Sequence, residues 1–244
     1  MLPRRTLLAF PLTAALPAQA KGPLAATPLS RADAWWKARH EAKLAEIKAK
    51  KPNLIFLGDS ITQDWEHPEY AQAWQRFYGD RNAVNLGFKG DATSHLLWRI
   101  QNGEVASIAP KAAVVLIGAN NMGRLHWPAD ETLLGIDAIL AELRRRLPTT
   151  KILLLSVLPS ERNDWVTETT KTINRALPAH ANGATFVDVT NVFVKNGRLD
   201  KTLFSDPFMT PPEPALHPSP AGQILLSQAI EPHLSVLLGD RPHK

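Results

Sequence analysis

The run Ala113-Val114-Val115-Leu116-Ile117 carries no polar residue on either face of an extended chain. A strand with one wet face alternates apolar and polar residues. A strand without alternation is covered on both sides, as parallel strands are. Strand patterns at 54–57, 83–86, 112–117, 151–157 and 185–189 are separated by helical ones. The helical patterns cover 30–50, a stretch from Ser60 toward Phe77, 93–102, 130–147, 167–181 and 220–238. Ser30 suits the first helix as a cap, Pro52 ends it, and Pro148 stops the 130–147 helix. Strands alternating with helices predict an α/β three-layer sandwich with crossover connections. At 244 residues the chain can bury one full core without staples. No internal repeat or second domain is visible. Residues 190–218 read as an irregular, proline-rich stretch, and long loops in compact domains are usually functional.

The absence of cysteine excludes disulfides, thiolate metal sites and a cysteine nucleophile. The first twenty residues read as a targeting segment. Arg4 and Arg5 precede the apolar stretch 6–16, and Ala18-Gln19-Ala20 forms a small-x-small cleavage site. The expectation is a signal peptide at 1–20 cleaved near Ala20, hence a periplasmic or secreted protein. An uncleaved anchor or a cytosolic tail is the other reading. The arginine pair is weakly similar to a twin-arginine signal, which leaves Sec and Tat export both open. Residues 21–52 are then a linker and helix, and 53–240 the main domain. Net charge is +5, and +3 without the first twenty residues, which hold two arginines and no acid. Seven Lys or Arg against three Asp or Glu between 31 and 51 read as a solvated helix face. No basic-aromatic interleaving supports a nucleic-acid partner. No other segment is long enough to span a membrane.

Three loops follow successive strands and open on one edge of the sheet, where open α/β sheets bind ligands. The first is Gly58-Asp59-Ser60, with the hydroxyl at a strand end and a helix start. Helix N-termini favour negative charge, although serine there is equally an ordinary cap. The second is Asn85-Leu86-Gly87-Phe88-Lys89-Gly90-Asp91, and the third Gly118-Ala119-Asn120-Asn121. Glycine and asparagine amides suit a tetrahedral oxyanion, but each also suits a plain turn. His217, just before the last helix, is a fourth element: a neutral imidazole that could take a hydroxyl proton. Asp59 and Asp91 are expected to brace loops, and Trp65, Trp74 and Trp98 to enter the core. Trp127 is a candidate for a pocket rim. His95 and His126 are candidates for substrate contact, with plain surface positions the other reading.

These four elements, in this order, resemble the sequence blocks of the SGNH (GDSL-type) hydrolases, close to their platelet-activating-factor-acetylhydrolase-like branch. Leu96-Leu97-Trp98-Arg99 after the second block and Pro218 and Ala221-Gly222 after His217 add to the likeness, which spans about residues 53–238. The resemblance implies a flavodoxin-like α/β/α sandwich with a five-stranded parallel sheet, and no metal or organic cofactor. It implies Ser60 as nucleophile and His217 as base. The backbone amide of Ser60, the amide of Gly90 and the side chain of Asn120 become oxyanion donors. The implied activity is that of a serine esterase on a small acyl ester, such as an acetyl ester of a carbohydrate or lipid, through an acyl-enzyme.

One position departs from the pattern. The family's triad aspartate stands three residues before the histidine, and here that residue is Pro214. Glu213 is adjacent and Asp206 lies in the same loop. Glu213 is the candidate acid. A backbone carbonyl in the 206–216 loop could instead orient the ring, leaving a Ser-His dyad. The third reading is a catalytically weak or inactive protein that binds carbohydrate or lipid on the same scaffold. A nucleotide-binding module lacks a phosphate loop.

Overall fold

The structure is a computed structural model and describes residues 23–243. The targeting segment expected at 1–20 lies outside the described residues. Five strands form a parallel sheet: β1 Leu54–Gly58, β2 Ala83–Gly87, β3 Ala112–Leu116, β4 Lys151–Leu155 and β5 Thr185–Val187. Their spatial order is β2-β1-β3-β4-β5, the flavodoxin-like order. Every residue of β1, β2 and β3 is buried, which is why the non-alternating runs form these strands.

Helices cover both faces. They are α1 Ala34–Lys50, α2 Ser60–Gln63, α3 Ala71–Tyr78, α4 Thr93–Arg99, α5 Ala119–Gly123, α6 Ala129–Arg146, α7 Asp164–His180, α8 Thr190–Phe193 and α9 Pro220–Leu238. One group packs α4 on α6 and α6 on α7. The other joins α3 and α8 to α9, which lies on β3 and β4. The long chain between α8 and α9 holds a two-strand hairpin, β6 Val194–Lys195 and β7 Arg198–Leu199, and then irregular backbone. No helix of the described residues is long and apolar enough to cross a membrane.

The helix expected from Ser30 begins at Ala34 instead, with Asp33 at its N-cap. The preceding segment is engaged elsewhere: Leu29 N–H donates to Ser94 O at 3.1 Å and Arg31 Nη1 to Lys89 O at 2.7 Å. The continuous helix expected from Ser60 to Phe77 is interrupted between α2 and α3. His67 precedes Pro68 and takes extended angles (φ −71°, ψ 142°), as a residue before proline is pressed to do. The 93–102 helix ends regularly at Arg99 because Asn102 and Gly103 leave helical geometry.

Topology places the site. From β1 the chain moves outward to β2, then returns to the other side of β1 to form β3. The carboxyl ends of β1 and β3 therefore diverge at the switch point, where a crevice opens. Ser60 and Asn120 follow those two ends.

Candidate active site

Ser60 is the first residue of α2, and Asp59 caps that turn by accepting Ile61 N–H at 3.0 Å. The turn is fixed from three sides. Asn85 Nδ2 donates to Thr62 O at 2.7 Å, and Gln223 Nε2 to Ile61 O at 3.1 Å. From below, the turn rests on the end of β2. A Cβ on Gly87 would lie 2.3 Å from Gln63 N, so only glycine lets the turn settle there. Ser60 is buried to 5% exposure, with its hydroxyl held rather than free to rotate among solvent partners.

Ser60 Oγ and His217 Nε2 are 2.9 Å apart. On the other side of the ring, His217 Nδ1 meets Asp206 Oδ1 at 2.6 Å. A carboxylate only accepts, so Nδ1 carries the proton and Nε2 of the neutral ring accepts the serine O–H. Asp206 Oδ2 also accepts two backbone donors, His217 N–H at 2.6 Å and Leu216 N–H at 2.8 Å. Burial alone pushes this carboxyl up, but these donors and the imidazole outweigh it and hold it below the usual range. Burial likewise pushes His217 down, and Asp206 outweighs it and raises the imidazole above its ordinary value.

The carboxylate on the ring is therefore that of Asp206, and the expectation of Glu213 is corrected. A short antiparallel pairing explains how a residue eleven positions away reaches the ring. Phe204 bridges Pro218, Ser205 N–H donates to His217 O at 2.8 Å, and Ser219 N–H to Leu203 O at 2.8 Å. Tyr70 Oη ties the return strand by donating to Pro218 O at 2.9 Å. Asp206 then faces Leu216 and His217, and residues 207–215 form an excursion between them. Glu213 lies on that excursion with its side chain exposed, and only its backbone N–H meets Asp206, at O, 3.0 Å. The backbone-carbonyl reading falls for the same reason, since Nδ1 already faces a carboxylate.

Gly90 and Asn120 come together on the other side. Asn120 Nδ2 donates to Asp91 O at 3.0 Å and approaches Asp59 Oδ2 at 3.4 Å. One amide thus touches the residue after Gly90 and the residue before Ser60. Gly90 turns the loop with φ +79°, and Asp91 N–H closes it on Phe88 O at 3.1 Å. Burial pushes the Asp59 carboxyl up to about 7.

Asp91 anchors this arm. Its carboxylate accepts Trp36 Nε1 at 2.8 Å and Arg99 Nε at 2.8 Å. Arg99 is wholly buried, bonds Leu86 O at 3.1 Å and Gly58 O at 3.2 Å, pairs with Glu104 and covers the ring of Phe88. The first two of the three loops are thereby fastened to one guanidinium. Asp59 and Asp91 brace loops as expected, although the partners of Asp91 were not legible. Trp36 comes from a helix outside the four blocks, and only the position of Arg99 just after block two hinted at its part.

The other candidates fall as follows. Trp65 is buried, and with Trp74 it joins an aromatic cluster that includes Tyr78. Trp98 packs on Trp36. His95 Nδ1 accepts Ala92 N–H at 2.9 Å and serves its own helix. His126 is exposed and stacked on Trp165, and Trp127 is half-buried with its N–H on Asn121 O at 2.9 Å.

A hydroxyl, an imidazole and a carboxylate in hydrogen-bonded series, beside a cluster of amides at a sheet switch point, define the class of serine-dependent acyl-transfer sites. The comparisons with known proteins agree. The chain belongs to the GDSL-like lipase/acylhydrolase family, whose model matches residues 56–225. It is 34% identical over 170 residues to human platelet-activating factor acetylhydrolase IB subunit alpha1, covering 66% of this chain and 69% of that one. Two of the solved structures with this fold illustrate the likeness. A GDSL-like lipase from Bacteroides thetaiotaomicron superposes with TM-score 0.64 at 19% identity, covering 82% of this chain and 97% of that one. An acetylxylan esterase from Geobacillus stearothermophilus superposes with TM-score 0.57 at 20% identity, covering 78% and 95%. The protein is a carboxylic ester hydrolase of the SGNH type.

Proposed function

We propose that the protein is a secreted or periplasmic serine esterase that removes a small acyl group, such as acetyl, from a carbohydrate or lipid ester through an acyl-enzyme. The unbroken series Asp206–His217–Ser60 carries this reading. Ser60 Oγ attacks the ester carbonyl as His217 Nε2 takes its proton. The tetrahedral oxyanion is held by the N–H of Ser60, the N–H of Gly90 and the Asn120 Nδ2 N–H that leaves its long contact with Asp59. The intermediate collapses to acyl-Ser60 as Nε2 returns the proton to the departing alcohol. Water, deprotonated by the same nitrogen, then frees the carboxylic acid. Throughout, Asp206 keeps the ring in one tautomer and stabilises it when charged. The small acyl group is supported by the names of the relatives, an acetylhydrolase and an acetylxylan esterase. Export is supported by the charged, apolar and small-x-small succession of residues 1–20 alone. The rival reading, an inactive binding protein, drew its strength from Pro214, and Asp206 removes that reason.

The test is labelling with a fluorophosphonate followed by mass spectrometry. The expected result is one adduct, on Ser60, absent from Ser60→Ala along with hydrolysis of 4-nitrophenyl acetate. An adduct elsewhere, or hydrolysis surviving in Ser60→Ala, overturns the proposal.

A further inference from the structure

Arg162 is unlike the other buried or half-buried cations among the described residues. Arg81 pairs with Glu231 and Asp240, Arg99 with Asp91 and Glu104, and Lys43 with Glu46 and Glu66. Arg162 is half-buried, and among the described residues no carboxylate forms an ion pair with it. Its bonds are Nη2 to Ala119 O at 2.8 Å and Nε to Ser160 Oγ at 3.4 Å. A guanidinium has five N–H groups, so three are left over.

Its position is fixed by the two arms of the site. Ala119 immediately precedes Asn120. The guanidinium fills the space over Gly123 at the end of α5, where a Cβ would lie 1.5 Å from Nη1. The neighbouring Glu161 N–H reaches Ala215 O at 3.4 Å, two residues before His217. The charge of Arg162 is felt by both Asp59 and Asp206, the carboxylates on either side of the Ser60–His217 pair. No carboxylate of the described residues touches the guanidinium, and burial lowers its pKa in spite of the more distant Asp59 and Asp206, which raise it.

We propose that Arg162 binds an anionic oxygen group, carboxylate or phosphate, on the alcohol part of the ester. The alcohol oxygen receives its proton from His217 Nε2, so the alcohol part extends along the His217 arm. Residues 160–162 flank that arm through Ala215. The three remaining N–H groups form a fork suited to two oxygens at once. The assignment rests on the esterase mechanism proposed above and narrows its substrate class to acyl esters of acidic alcohols.

The probes are three acetyl esters of matched phenols: neutral 4-acetoxybenzamide, 4-acetoxybenzoate and 4-acetoxyphenyl phosphate. The readout is kcat/KM of each anionic ester divided by that of the amide. This quotient cancels any loss common to all three esters, such as loosening of α5. The wild type should favour at least one anionic ester, and the favoured one tells carboxylate from phosphate. In Arg162→Gln the quotient should fall about tenfold or more. Arg162→Lys, which keeps the charge without the fork, should fall between and serves if the glutamine variant does not fold. Arg124→Gln is the control for general charge, because Arg124 is exposed beside Gly90. A quotient near one in the wild type overturns the proposal. So does one unchanged by both Arg162 variants, or one lowered equally by Arg124→Gln. If no ester is turned over and Ser60 stays unlabelled, both readings fall together; turnover with an unchanged quotient sinks the role of Arg162 alone.

Discussion

The two arms of the site are held by different means. The arm that carries Ser60, Gly90 and Asn120 hangs from the ends of β1, β2 and β3, and its anchors Asp91, Arg99 and Glu104 are each 0% exposed. Breaking such a buried ion network by removing one partner costs about 3–5 kcal/mol, so its geometry is rigidly specified. The acid–base arm hangs from an irregular chain, and a few antiparallel bonds between 203–205 and 217–219 hold it. Its excursion carries Phe208 at 70% and Met209 at 51% exposure. The first arm is set by the sheet, and its residues keep fixed spacings from the strand ends. The second needs only that Asp206 and His217 meet.

The largest effect should come from the less regular arm. In Asp206→Asn the amide NH2 can face Nδ1, which leaves the proton on Nε2 and removes the base from Ser60. Turnover of 4-nitrophenyl acetate should fall by about four orders of magnitude, with the fold retained by circular dichroism. A loss below tenfold would show that something other than Asp206 orients the ring. On the rigid arm, Asn120→Ala removes one of the proposed oxyanion donors. It should lower kcat by about two to three orders of magnitude. Wild-type kcat in a folded Asn120→Ala protein would take Asn120 out of the oxyanion site.

A smaller effect is the pH profile. The base must be neutral, and Asp206 holds the His217 imidazole above 6.5. The acidic limb of kcat/KM should therefore have its midpoint above pH 6.5, with activity rising as pH rises through it. In Asp206→Asn, burial acts without the carboxylate, so the limb of the residual activity should move to lower pH. A limb that stays in place would assign it to another group, with Asp59, pushed up to about 7, the first candidate.

The contrast between the arms also explains what could be read before the fold was known. The nearness of Ser60, Gly90 and Asn120 was legible because parallel strands put the loop after each strand on one edge, so order in sequence becomes proximity in space. The sheet and its five strands were legible for a related reason: burial on both faces leaves an unbroken apolar run. Asp206 was visible only as an acid in the right loop. Nothing in the spacing from 206 to 217 encodes the pairing of Ser205 with His217, because a single antiparallel bridge has no periodicity. Trp36 and Arg162 were not legible as site residues. Each acts across a distance in sequence, Trp36 on Asp91 and Arg162 on Ala119. The break between α2 and α3 was legible in principle, since Pro68 restricts His67, but the helical pattern on either side hid it.

Glu213 gives the finest test of the contrast, because it separates nearness in sequence from contact in space. Its side chain is exposed, so Glu213→Ala removes neither packing nor a bond to the ring. The alanine keeps the N–H that donates to Asp206 O. Activity should stay within about twofold of wild type and thermal stability should not move, as for surface substitutions generally. Glu213→Pro deletes that N–H and should cost about 0.5–1.5 kcal/mol of stability, with the loss felt where the excursion leaves Asp206. Equal behaviour of the two variants would mean that the backbone bond contributes nothing to holding the excursion. A tenfold or greater loss in Glu213→Ala would return the glutamate to the ring.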